Sequence, residues 1–189
     1  MANRPSREIV LVLDNIRSVY NTASIARSAA FFGVQEIYAC GTTPLPYDRF
    51  GRRRGDFAKV ALGAEDIVRF AHFPSTLAAI GALRKEGCWV VCLEQDARAA
   101  PLAQGARHAR YPLALILGEE RHGISRPILN AAEEIWEIPR VGQKESLNVA
   151  VAAGVALWAV RTLAPPGNAN FQTSSEPKQS PFPPHRLGQ

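Results

Sequence analysis

The sequence predicts an α/β fold, in which helices cover both faces of a mainly parallel sheet. Short apolar runs rich in Val, Ile and Leu alternate with segments of helical periodicity along residues 8–163, and this alternation is typical of βαβ units. Several runs are continuously apolar, as expected for parallel strands that are covered on both faces. With 189 residues, 47% of them hydrophobic, the chain can bury one sizeable core.

Six of the apolar runs are predicted to be strands, because they are short and bounded by turn or helical segments. Gly33 and Gly87 mark the ends of two predicted helices, since glycine commonly stands just past the last helical residue. The predicted strands are residues 8–15, 35–41, 66–73, 88–95, 113–120 and 134–140, and the predicted helices are residues 22–32, 75–86, 126–134 and about 147–163.

The last predicted helix is apolar around nearly its whole circumference from Val149 to Val160. One face of a sheet does not cover such a helix, so we expect it to be buried between the sheet and a second subunit. The run is too short to span a membrane, which requires about 20 residues. Its polar start is explained either by Ser146 as an N-cap or by a polar ligand at the exposed N–H groups.

Residues 1–164 are predicted to form one domain, and residues 165–189 a disordered tail rich in Pro, Ser and Gln. The N-terminus shows no apolar signal region. Cys40, Cys88 and Cys92 lie in apolar segments without a C-x-x-C pair, which argues against a disulfide framework and a zinc site. The sequence therefore predicts a cytoplasmic protein in a reducing compartment.

Positive charge is concentrated in residues 48–59, although the whole chain carries only +5. Five basic residues stand there against Asp48 and Asp56, and Phe50 and Phe57 are interleaved with them. A flexible basic loop with aromatic residues suits phosphate contacts and base stacking, so nucleic acid is a candidate partner, although a charge run is more often only a solvated surface. The candidate nucleic-acid-binding residues are Arg49, Arg52, Arg53, Arg54 and Lys59.

The motifs of several common enzyme classes are absent from the sequence. The turn after the first predicted strand has no glycine, so the dinucleotide-binding fingerprint G-x-G-x-x-G is missing. Neither a G-x-x-x-x-G-K-[ST] loop nor a G-x-S-x-G elbow occurs. The four histidines lack metal-ligand spacing, so no metal site is predicted.

Three polar clusters remain, and each follows a predicted strand. Residues 21–27 follow the first strand, residues 118–125 the fifth, and residues 139–148 the sixth. Ligands of open parallel sheets bind at the carboxyl edge of the strands. We therefore expect the three clusters to form one composite pocket.

These clusters resemble the three motifs of the SpoU/TrmH-type RNA ribose methyltransferases, which belong to the SPOUT superfamily. The pattern N-x-x-x-x-x-R lies in residues 21–27, LGEERHGIS in residues 117–125, and IPRVGQKESLNVAVA in residues 138–152. The motifs stand in the family's order and spacing across about 10–163. The third is the most specific, because I-P, a glycine and S-L-N-V recur together in that family.

The resemblance implies that the sheet carries a deep trefoil knot in its C-terminal part, although knots are rare in proteins. It implies S-adenosylmethionine as the methyl donor and the 2′-hydroxyl of a ribose in tRNA or rRNA as the acceptor. It also implies a homodimer with the active site at the subunit boundary, without a metal. Some relatives carry an extra N-terminal RNA-binding domain, whereas the first strand begins here near Ile9. We therefore expect residues 48–59 to capture the substrate.

The resemblance assigns five residues to the cofactor site. Gly118 and Ile138 would line the adenosine site through their backbone groups, Ser146 and Leu147 would lie near the adenine and ribose, and Leu93 would end the fourth strand against the cofactor. Ordinary structural roles are the alternatives: Leu93 and Ile138 as core residues, and Gly118 as a turn residue.

Arg27 is the residue that the resemblance implies in catalysis. Family accounts often make this arginine the base, but a guanidinium holds its proton to a pKa above about 12. We expect Arg27 to stabilise the developing alkoxide and a neighbouring phosphate electrostatically, while a phosphate oxygen or water accepts the proton. A surface salt bridge is the alternative role. Asn21, Glu120 and Asn148 are implied to organise the pocket.

Other functions compete with ribose methylation. Within the superfamily, a base-methylating enzyme is the nearest alternative, and the pattern of Asn21 and Arg27 favours ribose instead. A catalytically inactive RNA-binding protein of the same fold is the other. A nucleotide-binding enzyme of unrelated chemistry is disfavoured by the missing glycine fingerprint.

Overall fold

A seven-stranded parallel sheet organises the chain in a computed structural model that describes residues 8–164. Residues 1–7 and the predicted tail, residues 165–189, lie outside the described residues. The strands are β1 (Ile9–Asp14), β2 (Glu36–Cys40), β3 (Arg69–Phe73), β4 (Trp89–Leu93), β5 (Ala100–Pro101), β6 (Leu113–Leu117) and β7 (Glu134–Glu137).

Seven helices connect the strands or follow the last one within the described part of the chain. They are α1 (Val19–Phe31), α2 (Gly55–Ala61), α3 (Ala64–Ile67), α4 (Thr76–Lys85), α5 (Leu102–Arg107), α6 (Arg126–Ala131) and α7 (Val149–Leu163).

The strand order across the sheet is β3-β2-β1-β6-β4-β7-β5, and every pairing is parallel. The chain leaves β1 and β4 as separate strands and later inserts β6 between them, with Leu11 opposite Leu115 and Val91 opposite Leu115. This order makes β1, β6, β4 and β7 consecutive neighbours. The carboxyl ends of these four strands therefore meet along one edge of the sheet.

Helices pack on both faces of the sheet, as predicted, and each face has its own apolar core. Along β1, Ile9, Leu11 and Leu13 point into the core shared with α1, α2, α5 and α7. Val10 and Val12 point the other way, into the core shared with α4 and α6. Continuously apolar strands follow from this arrangement, because no face of the central strands meets water.

Helix α7 is buried on one face only within a single chain. Ala153, Ala156 and Leu157 are buried against the sheet and α1, whereas Val155 and Trp158 on the opposite face are 37% and 53% exposed. The apolar outer face explains why the sequence reads as apolar all round the helix.

All six predicted strands and all four predicted helices are present, with ends shifted by a few residues. The sequence reading was wrong in the second half of residues 48–59, predicted as a flexible loop, because helix α2 begins at Gly55. Phe57 and Ala61, one helical turn apart, are buried in the core, and the Phe57 ring contacts Phe70 edge-on at 5.8 Å between centroids. None of the helices in residues 8–164 has both the length and the apolar character that a transmembrane span needs.

Candidate active site

A cavity of about 460 Å³ opens at the carboxyl edge of the sheet, next to the ends of β4 and β6. Its walls come from three separated stretches: the turn after β4, the turn after β6, and the segment from the end of β7 into α7. Such a volume falls in the range of about 300–1,000 Å³ that is usual for small-molecule sites. All five residues predicted to bind the cofactor line it, namely Leu93, Gly118, Ile138, Ser146 and Leu147.

The lining of the cavity is mixed in character. Leu93, Leu117 and Ile138 are aliphatic, whereas the turn after β6 contributes the acidic Glu119 and Glu120 together with Arg121 and His122. A flat, weakly polar ring suits the aliphatic residues, and a cation suits the two acidic residues because carboxylates stabilise nearby positive charge.

The turn after β6 is held in place by unusually close backbone packing. A Cβ atom added to Gly118 would stand 2.6 Å from the carbonyl carbon of Gly123 and 2.7 Å from Cγ1 of Ile124, so only glycine fits. The Glu94 carboxylate accepts 2.8 and 2.9 Å hydrogen bonds from the backbone N–H groups of Ile124 and Gln95. These contacts fix the turn against the end of β4.

Asn21, Glu120 and Asn148 come together from three different segments beside this cavity. Asn21 Nδ2 donates a 2.7 Å hydrogen bond to Glu120 Oε1, and Asn148 Nδ2 donates a 3.1 Å hydrogen bond to Asn21 Oδ1. The backbone N–H of Asn21 is capped by Ser18 Oγ at 3.2 Å, which sets its place in the first turn of α1. Three of the four residues predicted to be catalytic therefore form one hydrogen-bonded group.

Asn148 also explains the polar start of α7. Its Oδ1 accepts a 2.9 Å hydrogen bond from the backbone N–H of Ala150, so Asn148 is the N-cap and the interpretation of Ser146 as the N-cap was wrong. Ser146 stands on the cavity wall instead. The abrupt change from polar to apolar sequence thus separates a cavity wall from a buried helix.

Glu119 has partners other than those of its neighbour Glu120. It accepts a hydrogen bond from Nδ1 of His122, and Arg17 Nε lies 3.2 Å from its other oxygen. The hydrogen bond from His122, with the nearby charge of Arg17, lowers the pKa of Glu119 below its ordinary value. Glu119 is therefore an ionised carboxylate at neutral pH.

Arg27, the fourth residue predicted to be catalytic, does not line the cavity of its own chain. It is exposed on α1, and within residues 8–164 no hydrogen bond or ion pair involves its side chain. Its place seven residues after Tyr20 and four before Phe31 puts it on one exposed stripe of the helix with these two aromatic residues. The predicted salt bridge on the helix surface is not present among the described residues.

The basic residues of segment 48–59 are largely paired with acids. Arg53 contacts the buried Glu65, with 3.0 Å between Nε and Oε1. Arg54 binds both oxygens of Asp56, at 3.2 and 2.8 Å.

Arg52 Nε lies 2.9 Å from Asp48 Oδ2. Arg49 and Lys59 make no ion pair within the described residues. The local positive charge is therefore smaller than the sequence count suggests, and the assignment of all five residues to RNA binding stays a prediction.

Two polar residues of the site went unnoticed in the sequence. Glu94 directly follows β4, but the predicted strand was too long, residues 88–95, and included it. The rule that selected the other clusters, polar residues at a strand's carboxyl end, therefore did not select it. Arg17 gave no such signal, because its partner Glu119 is distant in sequence.

The cysteines and histidines show no metal chemistry in the part of the chain that the structure describes, where no cluster of His, Cys, Asp and Glu is arranged to hold a metal. Cys40 and Cys92 are buried, and burial raises the pKa of their thiols to about 11 and about 12. These cysteines are core residues.

Comparison with known proteins gives a consistent result. An RlmB protein from Coxiella burnetii, named a 23S rRNA (guanosine-2′-O-)-methyltransferase, is 31% identical over 161 residues, which cover 85% of this chain and 61% of that protein. The AdoMet-bound rRNA methyltransferase from Sinorhizobium meliloti has a TM-score of 0.71 at 26% identity, covering 83% of this chain and 57% of that one.

A third likeness is to a protein whose structure addresses the 2-OH methylation of C/U34 on tRNA. Its TM-score is 0.69 at 26% identity, covering 83% of this chain and 96% of that one. The chain spans only 54% to 62% of the length of the curated relatives that it matches. The model of the SpoU rRNA Methylase family, however, matches residues 8–158. Since this match takes in the whole sheet and every segment around the cavity, the chain belongs to the SpoU rRNA methylase family.

Proposed function

We propose that this protein is an S-adenosylmethionine-dependent methyltransferase acting on the ribose 2′-hydroxyl of tRNA or rRNA. The observation that carries the proposal is the cavity at the sheet edge, where the five predicted cofactor residues converge beside the bonded group of Asn21, Glu120 and Asn148. The names of the relatives support the same activity, and one similar structure holds AdoMet.

The cavity fits S-adenosylmethionine in size and in chemistry. Leu93 and Ile138 would contact the adenosine, and Ser146 and Leu147 would close over it from the other side. The ionised Glu119 and the neighbouring Glu120 place negative charge where a sulfonium would be stabilised. When bound, the cofactor supplies a methyl group that is already activated for in-line displacement.

The side chains of this protein would then position the acceptor. Asn21 and Asn148 hold Glu120 and the start of α7 in a fixed relation, so the acceptor meets a preorganised edge. Arg27 would stabilise the developing alkoxide through its guanidinium group. The proton would pass to a phosphate oxygen or to water.

The working unit in this proposal is a homodimer. Val151, Val155 and Trp158 form an exposed apolar stripe on α7, and α1, which packs against α7, carries the exposed Tyr20 and Phe31. Monomeric proteins rarely expose contiguous apolar surfaces of this kind. Burial of the stripe against a second copy would also bring Arg27, which lies between Tyr20 and Phe31, to the subunit boundary.

The proposal includes the deep trefoil knot of the C-terminal part. Support comes from the likeness to a solved RNA 2′-O ribose methyltransferase, with a TM-score of 0.73. We place the activity in the cytoplasm, because buried free cysteines suit a reducing compartment.

A comparison of cellular RNA with and without the gene tests the function. Mass spectrometry of nucleosides from tRNA and rRNA is expected to show one 2′-O-methyl mark that is lost on deletion and restored by the wild-type gene. Loss of a base methyl group instead would favour a base-methylating enzyme. Calorimetric binding of S-adenosylmethionine with no lost mark in any RNA would favour an inactive RNA-binding protein.

A further inference from the structure

Residues 47–53, here called the tip turn, form a closed structure at the start of the basic segment. Tyr47 and Arg53 pair as an antiparallel bridge, and the backbone N–H of Asp48 donates a 2.9 Å hydrogen bond to the carbonyl of Arg52. Gly51, with a φ of +75°, closes the turn through a 2.9 Å hydrogen bond to the Asp48 carbonyl. The tip turn is therefore not an open, flexible loop.

The Asp48 carboxylate organises the tip turn from inside. It accepts 2.8 and 2.9 Å hydrogen bonds from the backbone N–H groups of Phe50 and Arg52, and a further 2.9 Å bond from Arg52 Nε. The backbone hydrogen bond from Arg52 is the main cause that lowers the pKa of Asp48, so the carboxylate is charged at neutral pH. The turn is thus shaped before any ligand arrives.

Two contacts anchor the tip turn to the rest of the fold. Arg53 pairs with the buried carboxylate of Glu65 on α3, and Tyr47 Oη donates a 3.0 Å hydrogen bond to Asp66 Oδ1. Because both ends of the turn are fixed to the same short helix, its outermost residues keep a defined position on the surface.

Phe50 is exposed to solvent in this turn. Its side chain is 58% exposed, whereas Phe57 in the same segment is fully buried. The guanidinium carbons of Arg49 and Arg52 lie over the Phe50 ring, 4.8 and 5.0 Å from its centroid. An incoming nucleotide would replace these cation–π contacts with a base stacked on the ring and phosphates paired with the two arginines.

We propose that the tip turn is a stacking site for an unpaired base of the RNA substrate. Phe50 would stack on the base, while Arg49 and Arg52 contact the phosphates that flank it. A base inside a duplex has both faces covered by its neighbours, so Phe50 selects single-stranded or looped RNA over a helix. This inference rests on the proposed function, since it takes RNA as the ligand, and it names the class of RNA.

Binding of the full chain to a fluorescein-labelled mixed-sequence oligoribonucleotide, alone or annealed to its complement, tests the site. The wild type is expected to prefer the single strand. Phe50→Leu should weaken single-strand binding by about 5- to 150-fold, the range for one stacked base, with little change for the duplex. Phe50→Trp, which keeps an aromatic face, should retain the affinity.

Arg49→Ala separates charge from stacking in the same assay. It should reduce the salt dependence of single-strand binding by about 0.7 in log–log slope, the value for one phosphate contact, whereas Phe50→Leu should leave the slope unchanged. Equal affinities of wild type and Phe50→Leu, or equal weakening for single strand and duplex, would overturn the stacking site. Absence of methyl transfer by the wild type to any cellular RNA would instead overturn the proposed function.

Discussion

Asn21 and Glu120, 99 positions apart in the chain, are joined by a 2.7 Å hydrogen bond between side chains. The bond connects the first turn of α1 to the turn after β6, and Asn148 extends it to the start of α7. The side-chain amide of Asn21 thereby connects the three polar segments that the sequence analysis identified separately. The buried position of Asn21, with 7% exposure, makes the donor difficult to replace by water.

Asn21→Asp is expected to destabilise the protein and reduce methyl transfer. The change keeps the side-chain size but removes the donor to Glu120 and brings two carboxylates face to face. The free energy of unfolding should fall by about 1–3 kcal/mol, the cost of a lost bond to a charged partner, as measured by urea unfolding. Asn130→Asp is the control, because its Oδ1 still accepts the hydrogen bond from Arg98. Equal stability of wild type and Asn21→Asp would contradict this role.

Gly118→Ala is expected to weaken S-adenosylmethionine binding. The new Cβ would meet the backbone of Gly123 at 2.6 Å, so the turn after β6 must move and the cavity wall with it. Overpacking of this kind costs about 1–3 kcal/mol, and calorimetry should show weaker cofactor binding. Gly81→Ala on α4 serves as the control, since a Cβ there meets nothing within 4 Å. An unchanged dissociation constant for Gly118→Ala would show that the turn after β6 takes no part in cofactor binding.

The strands and the edge that holds the site could be predicted because their causes are local. Continuous runs of branched apolar residues mark buried parallel strands, and polar residues after a strand mark the carboxyl edge. Helix α2 was missed because the charge of residues 52–54 hid the spacing of Phe57 and Ala61, the two residues of the helix that are fully buried in the core.

The pairing of distant charges could not be predicted from spacing. Arg53 looks like a free cation in the sequence, but in the folded protein it pairs with the buried Glu65 on α3. The partners of Glu119 and Glu120 likewise depend on the positions of α1 and β6. Such contacts form only in the tertiary structure, and no periodic pattern in the sequence predicts them.

Stability is expected to fall at acidic pH in a way that depends partly on Glu65. Burial raises the pKa of Glu65, but hydrogen bonds from Arg53 and from the backbone outweigh it, and the net pKa lies below the ordinary 4.5. A lowered pKa means that the native state binds fewer protons. The stabilisation is therefore complete above the ordinary value and is lost as the pH falls through the folded-state value.

Urea unfolding at a series of pH values between about 2.5 and 6 measures this effect. Glu65→Gln should make the unfolding free energy decline less steeply at low pH. Some decline should remain, because other carboxylates with a lowered pKa still contribute to it. Glu137→Gln is the control, because Glu137 has no ion pair within residues 8–164. If the unfolding free energy of Glu65→Gln and wild type fell equally with pH, the contacts of Glu65 would contribute no pH-dependent stability.

Val155→Asp is expected to convert the proposed homodimer into monomers. Val155 lies at the centre of the apolar stripe of α7 and is partly exposed in the single chain, so the charge harms the interface more than the fold. Sedimentation velocity should show the wild type as a dimer and the variant as a monomer that is still folded, with a melting temperature lowered only by the lost association. Leu77→Asp, at a site 48% exposed on α4, should remain dimeric. A wild type that sediments as a monomer would contradict the dimer.

Arg27→Ala is expected to slow single-turnover methyl transfer by about 10²–10³-fold, the loss typical of one preorganised electrostatic group. Stability should hardly change, since the side chain is exposed and makes no ion pair within the described residues. Arg27→Lys keeps the charge but loses the planar guanidinium and its paired N–H donors. Its rate should therefore lie between those of the wild type and Arg27→Ala. Near-normal rates for Arg27→Lys would show that charge alone suffices. The exposed Arg107→Ala is the control.

Mixing two impaired variants, at a cofactor concentration that leaves Gly118→Ala largely unoccupied, tests where Arg27 acts. Arg27 lies outside the cavity of its own chain, so in the proposed dimer it would serve the partner's cavity. Arg27→Ala mixed with Gly118→Ala would then form some dimers in which one cavity combines an intact turn with an intact arginine from the other chain. Part of the methyl-transfer activity should return after the chains have exchanged. If Arg27 served its own cavity, each chain would still lack one component, and the mixture would show only the residual activity of the two separate variants.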